Sequence, residues 1–378
     1  MYSRILEQDL LQLSKQWAVI SITGPRQSGK TTLCKMAFPM YDYVNLEEPR
    51  VRAMVEQDPK SFLLAHNNGL IVDEAQYVPE LFSYVQVVVD ENPALRYVLS
   101  GSSDFLLMQN ITQSLAGRVA VRRLLPLSIR ELGNIEYVST DELMYRGFYP
   151  AVWGDGKSPA SVYDSYLSTY IERDVRNIQN ITDLKLFRAF LTACAVRAGS
   201  EFVASSLGSE LGLNYKTIQK WMTILEASYT AFLLPPYFKN IGKRLTKTPK
   251  IYFYDVGFLC YLLGIQNAQH LSTHPLRGAI FENMVVAEML KSRFNAGERS
   301  NLFFYRDKSR EIDVLQESGQ DVYAYEIKSA KRMDVSFFRN MDALRGIMGD
   351  SIVSTQVVYD GEEELATSHN GYRNYRTL

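Results

Sequence analysis

Cysteine is scarce in this chain: three residues in 378. Cys34, Cys194 and Cys260 are spaced neither as a metal clip nor as a disulfide framework, so reduced, buried thiols in a cytoplasmic protein are the expectation. Charge imbalance is missing as well. Lys and Arg number 41 and Asp and Glu 42, a formal net charge of −1, which excludes wholesale electrostatic attraction to nucleic acid or anionic lipid and leaves only local contacts. No apolar run reaches the about twenty residues of a membrane span; the nearest, 251–265, is interrupted by Asp255 and Gly257, so no membrane partner is expected. The opening MYSRILEQDL has an acidic residue where a signal peptide needs an apolar core. There is no internal repeat and no low-complexity stretch. What remains, 46% apolar and 22% charged residues, is the composition of a globular protein of two or three domains.

The stretch AVISITGPRQSGKTT, residues 18–32, organises the rest. A β-branched apolar run stops at Gly24, and Gly29-Lys30-Thr31 opens a helix. The residues Gly24, Pro25, Arg26, Gln27, Ser28, Gly29, Lys30 and Thr31 fit the phosphate-binding P-loop at every fixed position. Backbone N–H groups at such a helix start point at a polyphosphate, and the two glycines permit torsions and an approach that a side chain would block. Lys30 is expected on the β- and γ-phosphates and Thr31 on Mg²⁺, with Thr32 completing the nucleotide-binding set. Further along, an apolar strand ends in Asp73-Glu74. Asp73 would hold the metal's water shell and Glu74 would polarise an attacking water, although two exposed carboxylates at a strand end is the plain alternative. Another strand runs into Ser100 and Ser102, one or other of which would lie beside the γ-phosphate; a turn rich in small residues fits equally. Arg118, before a fifth strand at Val119–Leu125, is a candidate for transition-state charge, in its own subunit or a neighbour's; a solvated or salt-bridged arginine fits equally. A helical stretch is expected over Glu47–Leu64.

The middle of the chain reads as a helical linker, with Tyr163, Tyr166, Leu167, Tyr170, Ile171 and Val175 at helical spacing and Glu172, Arg173 and Asp174 as a charged group near its end. Leu184–Arg197, Val203–Leu211 and Tyr215–Glu226 form a helix-turn-helix pattern with Gly212 at the turn. Two strands then flank a basic hairpin over Lys239–Lys247, which makes a winged-helix arrangement. In a DNA-reading version, Lys216 and Lys220 face the major groove while Lys243, Arg244 and Lys247 touch phosphates; winged helices also mediate protein contacts. Beyond it, an amphipathic helix over Arg277–Leu290 precedes three strands carrying Asp313 and Glu326-x-Lys328. That order is similar to the PD-(D/E)-x-K nuclease fold, with Ile312 where the motif has proline. The resemblance implies Glu282, Asp313 and Glu326 as Mg²⁺ ligands and Lys328 as the residue orienting water. The residues after Asp360 read as a loose polar tail.

GPRQSGKTTL, LIVDEAQ with VPEL, LSGSS, SLAGR and LPLSIREL together resemble the prokaryotic AAA+-related ATPases that carry an uncharacterised carboxyl-terminal domain, and YIERDV, KIYFYDVG, GAIFENMVVAEML and EIDVL extend the likeness along the chain. No separate helical lid with a sensor arginine is found, so ring assembly and an inter-subunit arginine do not follow. The resemblance implies ATP and Mg²⁺ as cofactors. The expected fold class is α/β: a P-loop parallel sheet flanked by helices over 1–135, a helical linker over 136–182, a winged-helix-like domain over 183–265, a smaller α/β restriction-endonuclease-like domain over 266–360 and a polar tail over 361–378. Three readings of the whole stay open. They are an Mg²⁺-dependent ATPase switching nucleic acid or a partner protein, a DNA-binding regulator with ATP as a structural ligand, and an ATP-gated nuclease, each alone or as an oligomer.

Overall fold

The computed structural model describes residues 2–102, 107, 110, 111, 113–154, 156–171, 183–238, 247–307, 309–367 and 370–378. They divide into two compact units, the first comprising Met1–Leu127, Ala227–Tyr229 and Arg293–Glu298. Its elements run α1 (Leu6–Leu13), β1 (Val19–Thr23), α2 (Lys30–Ala37), β2 (Asp42–Asn45), α3 (Pro49–Gln57), α4 (Pro59–Leu64), β3 (Leu70–Asp73), α5 (Leu81–Glu91), β4 (Tyr97–Gly101) and β5 (Val119–Arg123). The strands form one five-stranded sheet in the order β2-β3-β4-β1-β5, parallel throughout. A parallel sheet is covered on both faces, which is why β1 is buried at every residue. Alternation along the strand then serves two cores. Val19 joins Val72, Phe82, Val85 and Val88 on one face, and Ile20 and Ile22 join Leu6, Leu10, Leu33, Ile71 and Val98 on the other.

Because all five strands point the same way, their carboxyl ends collect the loops that bear chemistry. The helix expected over Glu47–Leu64 is broken in two. Asp58 leaves helical torsions (φ −148°) and its side chain accepts from Ser61 N–H, with Pro59 opening α4, a cap and a first-turn proline that together start a new helix.

The second unit comprises Ser128–Glu226, Thr230–Ser292 and Arg299–Leu378. Its first helix, α6 (Ile129–Leu132), opens with a reciprocal capping box between Ser128 and Glu131. It is followed by α7 (Thr140–Arg146), α8 (Pro150–Gly154) and α9 (Pro159–Tyr166). The linker helix expected from Tyr163 onward instead begins at Pro159 and passes into a π turn at Leu167–Ile171. Glu172, Arg173 and Asp174 lie outside the described residues. The helices α10 (Leu184–Val196), α11 (Ala204–Leu211) and α12 (Tyr215–Ala227) are followed by an antiparallel pair, β6 (Ala231–Leu234) and β7 (Lys250–Phe253). Gly212, at φ +68°, makes the turn out of α11.

After α13 (Val256–Leu262) and α14 (Ala268–Ser272) comes α15 (Arg277–Asn295), then β8 (Leu302–Arg306), β9 (Glu311–Ser318), β10 (Asp321–Lys328), α16 (Arg339–Met348), β11 (Ile352–Tyr359), β12 (Leu365–Ala366) and β13 (Asn370–Asn374). The sheet order is β12-β13-β11-β10-β9-β8. β8 pairs with β9 and β9 with β10 in antiparallel fashion, whereas β11 is parallel to β10. One expectation is corrected here: the segment after Asp360 is no loose tail. β13 pairs in parallel with β11 and β12 pairs with β13, and Tyr372 and Tyr375 are buried. Tyr372, at the centre of β13, packs into the core beside Phe338 and Tyr359, and Tyr375, in the turn after the strand, packs on Phe281.

Candidate functional site

The loop after β1 is shaped by positions of positive φ, two of them occupied by glycine. Gly24 has φ +148°, and a Cβ built there would meet the Leu124 carbonyl oxygen at 2.1 Å. Gln27 and Gly29 have φ +60° and +94°, and Gly29 is the residue from which α2 starts. Pro25 and Ser28 are buried, Arg26 is half-buried, and Gln27 and Thr32 are exposed. Lys30 is buried and its ammonium donates to the carbonyls of Gly24 at 2.9 Å and Pro25 at 2.8 Å. Burial brings its pKa down to about 8, with Glu74 and Asp73 pulling it back up. A cation held by loop carbonyls and short of a full counter-charge suits an incoming polyphosphate. The fit to phosphate is therefore carried by the cradle itself.

A pH dependence follows with a definite sign. Phosphate beside Lys30 would raise its pKa, so binding takes up a proton around and above pH 8 and weakens as pH rises through that value. Calorimetry at pH 8.5 in two buffers of different ionisation enthalpy is expected to show this uptake; zero uptake would remove Lys30 from the phosphate site.

The acidic strand end arrives from β3, two strands away from β1, and hydrogen bonds join the two. Thr31 Oγ1 donates to Asp73 Oδ2 at 2.6 Å. Ser100, on β4 between them, donates to Asp73 Oδ1 at 2.6 Å, and Tyr43 Oη donates to Oδ2 at 3.0 Å. Asp73 thus faces the loop with both oxygens engaged by hydroxyls, which a metal ion with its waters could displace or join. Glu74 sits in the left-handed region at φ +53°, costly for a residue with a side chain. Its Oε2 accepts from Ser102 Oγ at 3.0 Å and from Gln76 Nε2. The turn directs a carboxylate toward the same strand ends that carry the loop.

Arg118 stands elsewhere. It precedes β5, whose Val119 is level with Val19 and whose Arg123 is level with Thr23. It is therefore at the amino edge of the sheet, roughly 17 Å of strand from the loop at the usual rise of about 3.3 Å per residue. Its guanidinium forks onto Asp90 at 2.7 and 2.8 Å on the exposed surface. A role at the phosphates of its own chain is ruled out by that position. Sequence reasoning missed Arg4, which is buried and clamps Ser28 O at 2.6 Å and Leu125 O at 2.7 Å. It also missed Tyr43 and Gln76 as partners of the acidic pair. Arg4 lies in a stretch with no motif, so nothing marked it, whereas Gln76 lies two residues beyond Glu74 and was visible.

In the second unit, Glu282, Asp313 and Glu326 are mutually close enough to perturb one another. Burial foremost, then the Asp313 charge, pushes the carboxyls of Glu282 and Glu326 up, and burial raises Asp313. Lys328 donates to Glu326 Oε1 at 2.7 Å. A residue that the sequence did not single out enters from β7. Lys250, 2% exposed at its side chain, contacts Glu311 at 2.5 Å and Glu282 at 3.3 Å. Among the described residues no group of three His, Cys, Asp or Glu is disposed to hold a metal ion. On α12, Lys216 and Lys220 are exposed while Ile218, Trp221, Met222 and Leu225 are buried. Lys247 is exposed; Lys243 and Arg244 lie outside the described residues. The cysteines are free and buried, and among the described residues no helix is long and apolar enough to cross a membrane.

The parallel sheet, its glycine cradle and the hydroxyl-held Asp73 define a P-loop ATPase domain, and residues 16–133 match the family described as "AAA domain". Residues 138–269 and 277–375 match two families described as "Domain of unknown function (DUF8612)" and "Domain of unknown function (DUF4143)". The chain belongs to the same family as the uncharacterized protein Rv2008c of Mycobacterium tuberculosis, with which it is 30% identical over 357 residues, 93% of this chain and 78% of the relative. The uncharacterized protein MJ1544 of Methanocaldococcus jannaschii is 26% identical over 330 residues, 78% of this chain and 71% of that one. Among solved structures, the Walker-type ATPase PABY2304 of Pyrococcus abyssi is 15% identical at a TM-score of 0.46, covering 69% of this chain and 96% of that one. That likeness is too loose to assign a shared overall fold.

Proposed function

We propose that the first unit is an Mg²⁺-dependent ATPase that acts as a nucleotide-driven switch on nucleic acid or a partner protein. The observation that carries the reading is the 2.6 Å hydrogen bond from Thr31 to Asp73, which draws the P-loop hydroxyl and the acidic strand end to one point. Lys30 and the loop N–H groups hold the phosphates. Thr31 and Asp73 would hold Mg²⁺, which when bound neutralises charge on the phosphate oxygens. Glu74, fixed by Ser102 and Gln76, orients and polarises the attacking water, and Ser100 couples the state of Asp73 to β4. Exposed Lys216 and Lys220 on α12 support nucleic acid as the target.

Thermal or urea unfolding with Mg²⁺-ATP tests the first step. Ligand at a hundred times its Kd stabilises the fold by about 2.7 kcal/mol, and Asp73→Asn is expected to remove the Mg²⁺ dependence of that gain. A flat response to Mg²⁺-ATP sinks the reading. Titrating the same preparation with duplex DNA, with and without Lys216→Ala and Lys220→Ala, decides the target: binding weakened by the substitutions supports nucleic acid on α12, binding that ignores both removes α12 from the contact, and no binding leaves a partner protein.

A further inference from the structure

The carboxylates that resemblance assigns to a divalent ion already have other partners. Glu282 Oε1 accepts from Tyr252 Oη at 2.6 Å and from Lys250 Nζ at 3.3 Å. Asp313 Oδ2 accepts from Ile327 N–H at 2.8 Å. Glu326 Oε1 accepts from Lys328 Nζ at 2.7 Å. Lys250 is the first residue of β7, and the strand carries its side chain inward under the Phe304 ring, 5.6 Å from the centroid, where Glu311 takes a second contact at 2.5 Å.

A buried ammonium persists only among opposite charges, and buried carboxylates persist as anions only beside a cation. Mg²⁺ demands near-octahedral oxygen ligation at about 2.0–2.1 Å, and the described residues offer no such group. The residues therefore do not fit a resident divalent ion.

We propose that the Lys250 ammonium is the resident cation of this carboxylate cluster, standing in for the metal of a nuclease-like site, so that the native cluster takes up no Mg²⁺ or Mn²⁺. The ATP site plays no part in this inference. Glu326 Oε2, buried and without a hydrogen-bond partner among the described residues, is the oxygen that a metal would engage once the Lys250 charge is gone.

Mn²⁺ binding, read from the electron paramagnetic resonance of the free ion without nucleotide, tests it in the full chain carrying Asp73→Asn to remove the first unit's acidic end. That chain and its Glu326→Gln derivative are expected to titrate alike. Adding Lys250→Met instead is expected to tighten Mn²⁺ binding at least tenfold, and Glu326→Gln combined with it is expected to abolish the gain. Mn²⁺ bound with Lys250 in place and lost on Glu326→Gln overturns the proposal, as does a cooperatively folding Lys250→Met chain that binds no more tightly. Should Lys250→Met fail to fold, the comparison made with Lys250 in place decides alone.

Discussion

Glu74→Gln is expected to lower steady-state phosphate release by about 10²–10⁴-fold, the range for loss of a positioned general base, while ATP affinity stays near that of the native chain. The amide keeps the size of the carboxylate and can still accept from Ser102, so the left-handed turn at Glu74 has no reason to change. Thr31 and Asp73, which would hold the metal, are untouched. Only the anionic oxygen that would polarise water is lost. Phosphate release and nucleotide binding measured side by side separate the outcomes. Unchanged turnover, or turnover and affinity falling together, would remove Glu74 from the chemistry. Tight binding with no turnover in the native chain would instead favour ATP as a structural ligand.

Gly24→Ala is expected to be the most damaging single methyl in the first unit. Its Cβ would lie 2.1 Å from the Leu124 carbonyl oxygen and 3.0 Å from the carbonyl carbon, at a φ of +148°. Neither neighbour can yield cheaply, because Leu124 N–H donates to Thr23 O at 2.8 Å and Arg4 holds the adjacent Leu125 carbonyl. Strain at that torsion and overpacking against backbone each cost about 1–3 kcal/mol, so a loss of about 3 kcal/mol or more is expected in urea unfolding. ATP affinity is expected to fall at least tenfold with it, since the displaced backbone is also the phosphate cradle. Gly212 serves as a contrast. Its φ is +68° with open space around the built Cβ, so Gly212→Ala bears only the torsional cost. Equal unfolding midpoints for the two variants would refute the steric argument.

Local signals located much of the first unit. β1, the loop and β3 each announce themselves by β-branched runs that end in Gly24 or in Asp73-Glu74, and these ends lie in one sheet with parallel register. Asp73 and Ser102 were legible because strand ends collect at one edge. For Arg118 the salt-bridged reading, which the sequence left equally open, is the one found within this chain: the residue precedes its strand rather than follows it, and in a parallel sheet that places it at the opposite edge. The division at Asp58 was readable from Pro59 but obscured by helical residues on both sides. Tyr372 and Tyr375 were hidden in a polar segment, whose two buried rings are too few to register as a periodic pattern.

Sequence alone determined the elements whose cause is local: the glycine cradle, the apolar strands of a two-faced sheet and the acidic pair at a strand end. Tertiary structure alone decided which distant groups satisfy a buried charge. Arg4 on the Ser28 and Leu125 carbonyls, Ser100 donating to Asp73, and Lys250 between Glu282 and Glu311 are each fixed by strand order and by the need of a buried charge for hydrogen-bond or ionic partners. Neither cause leaves a mark at the residue's own position in the chain.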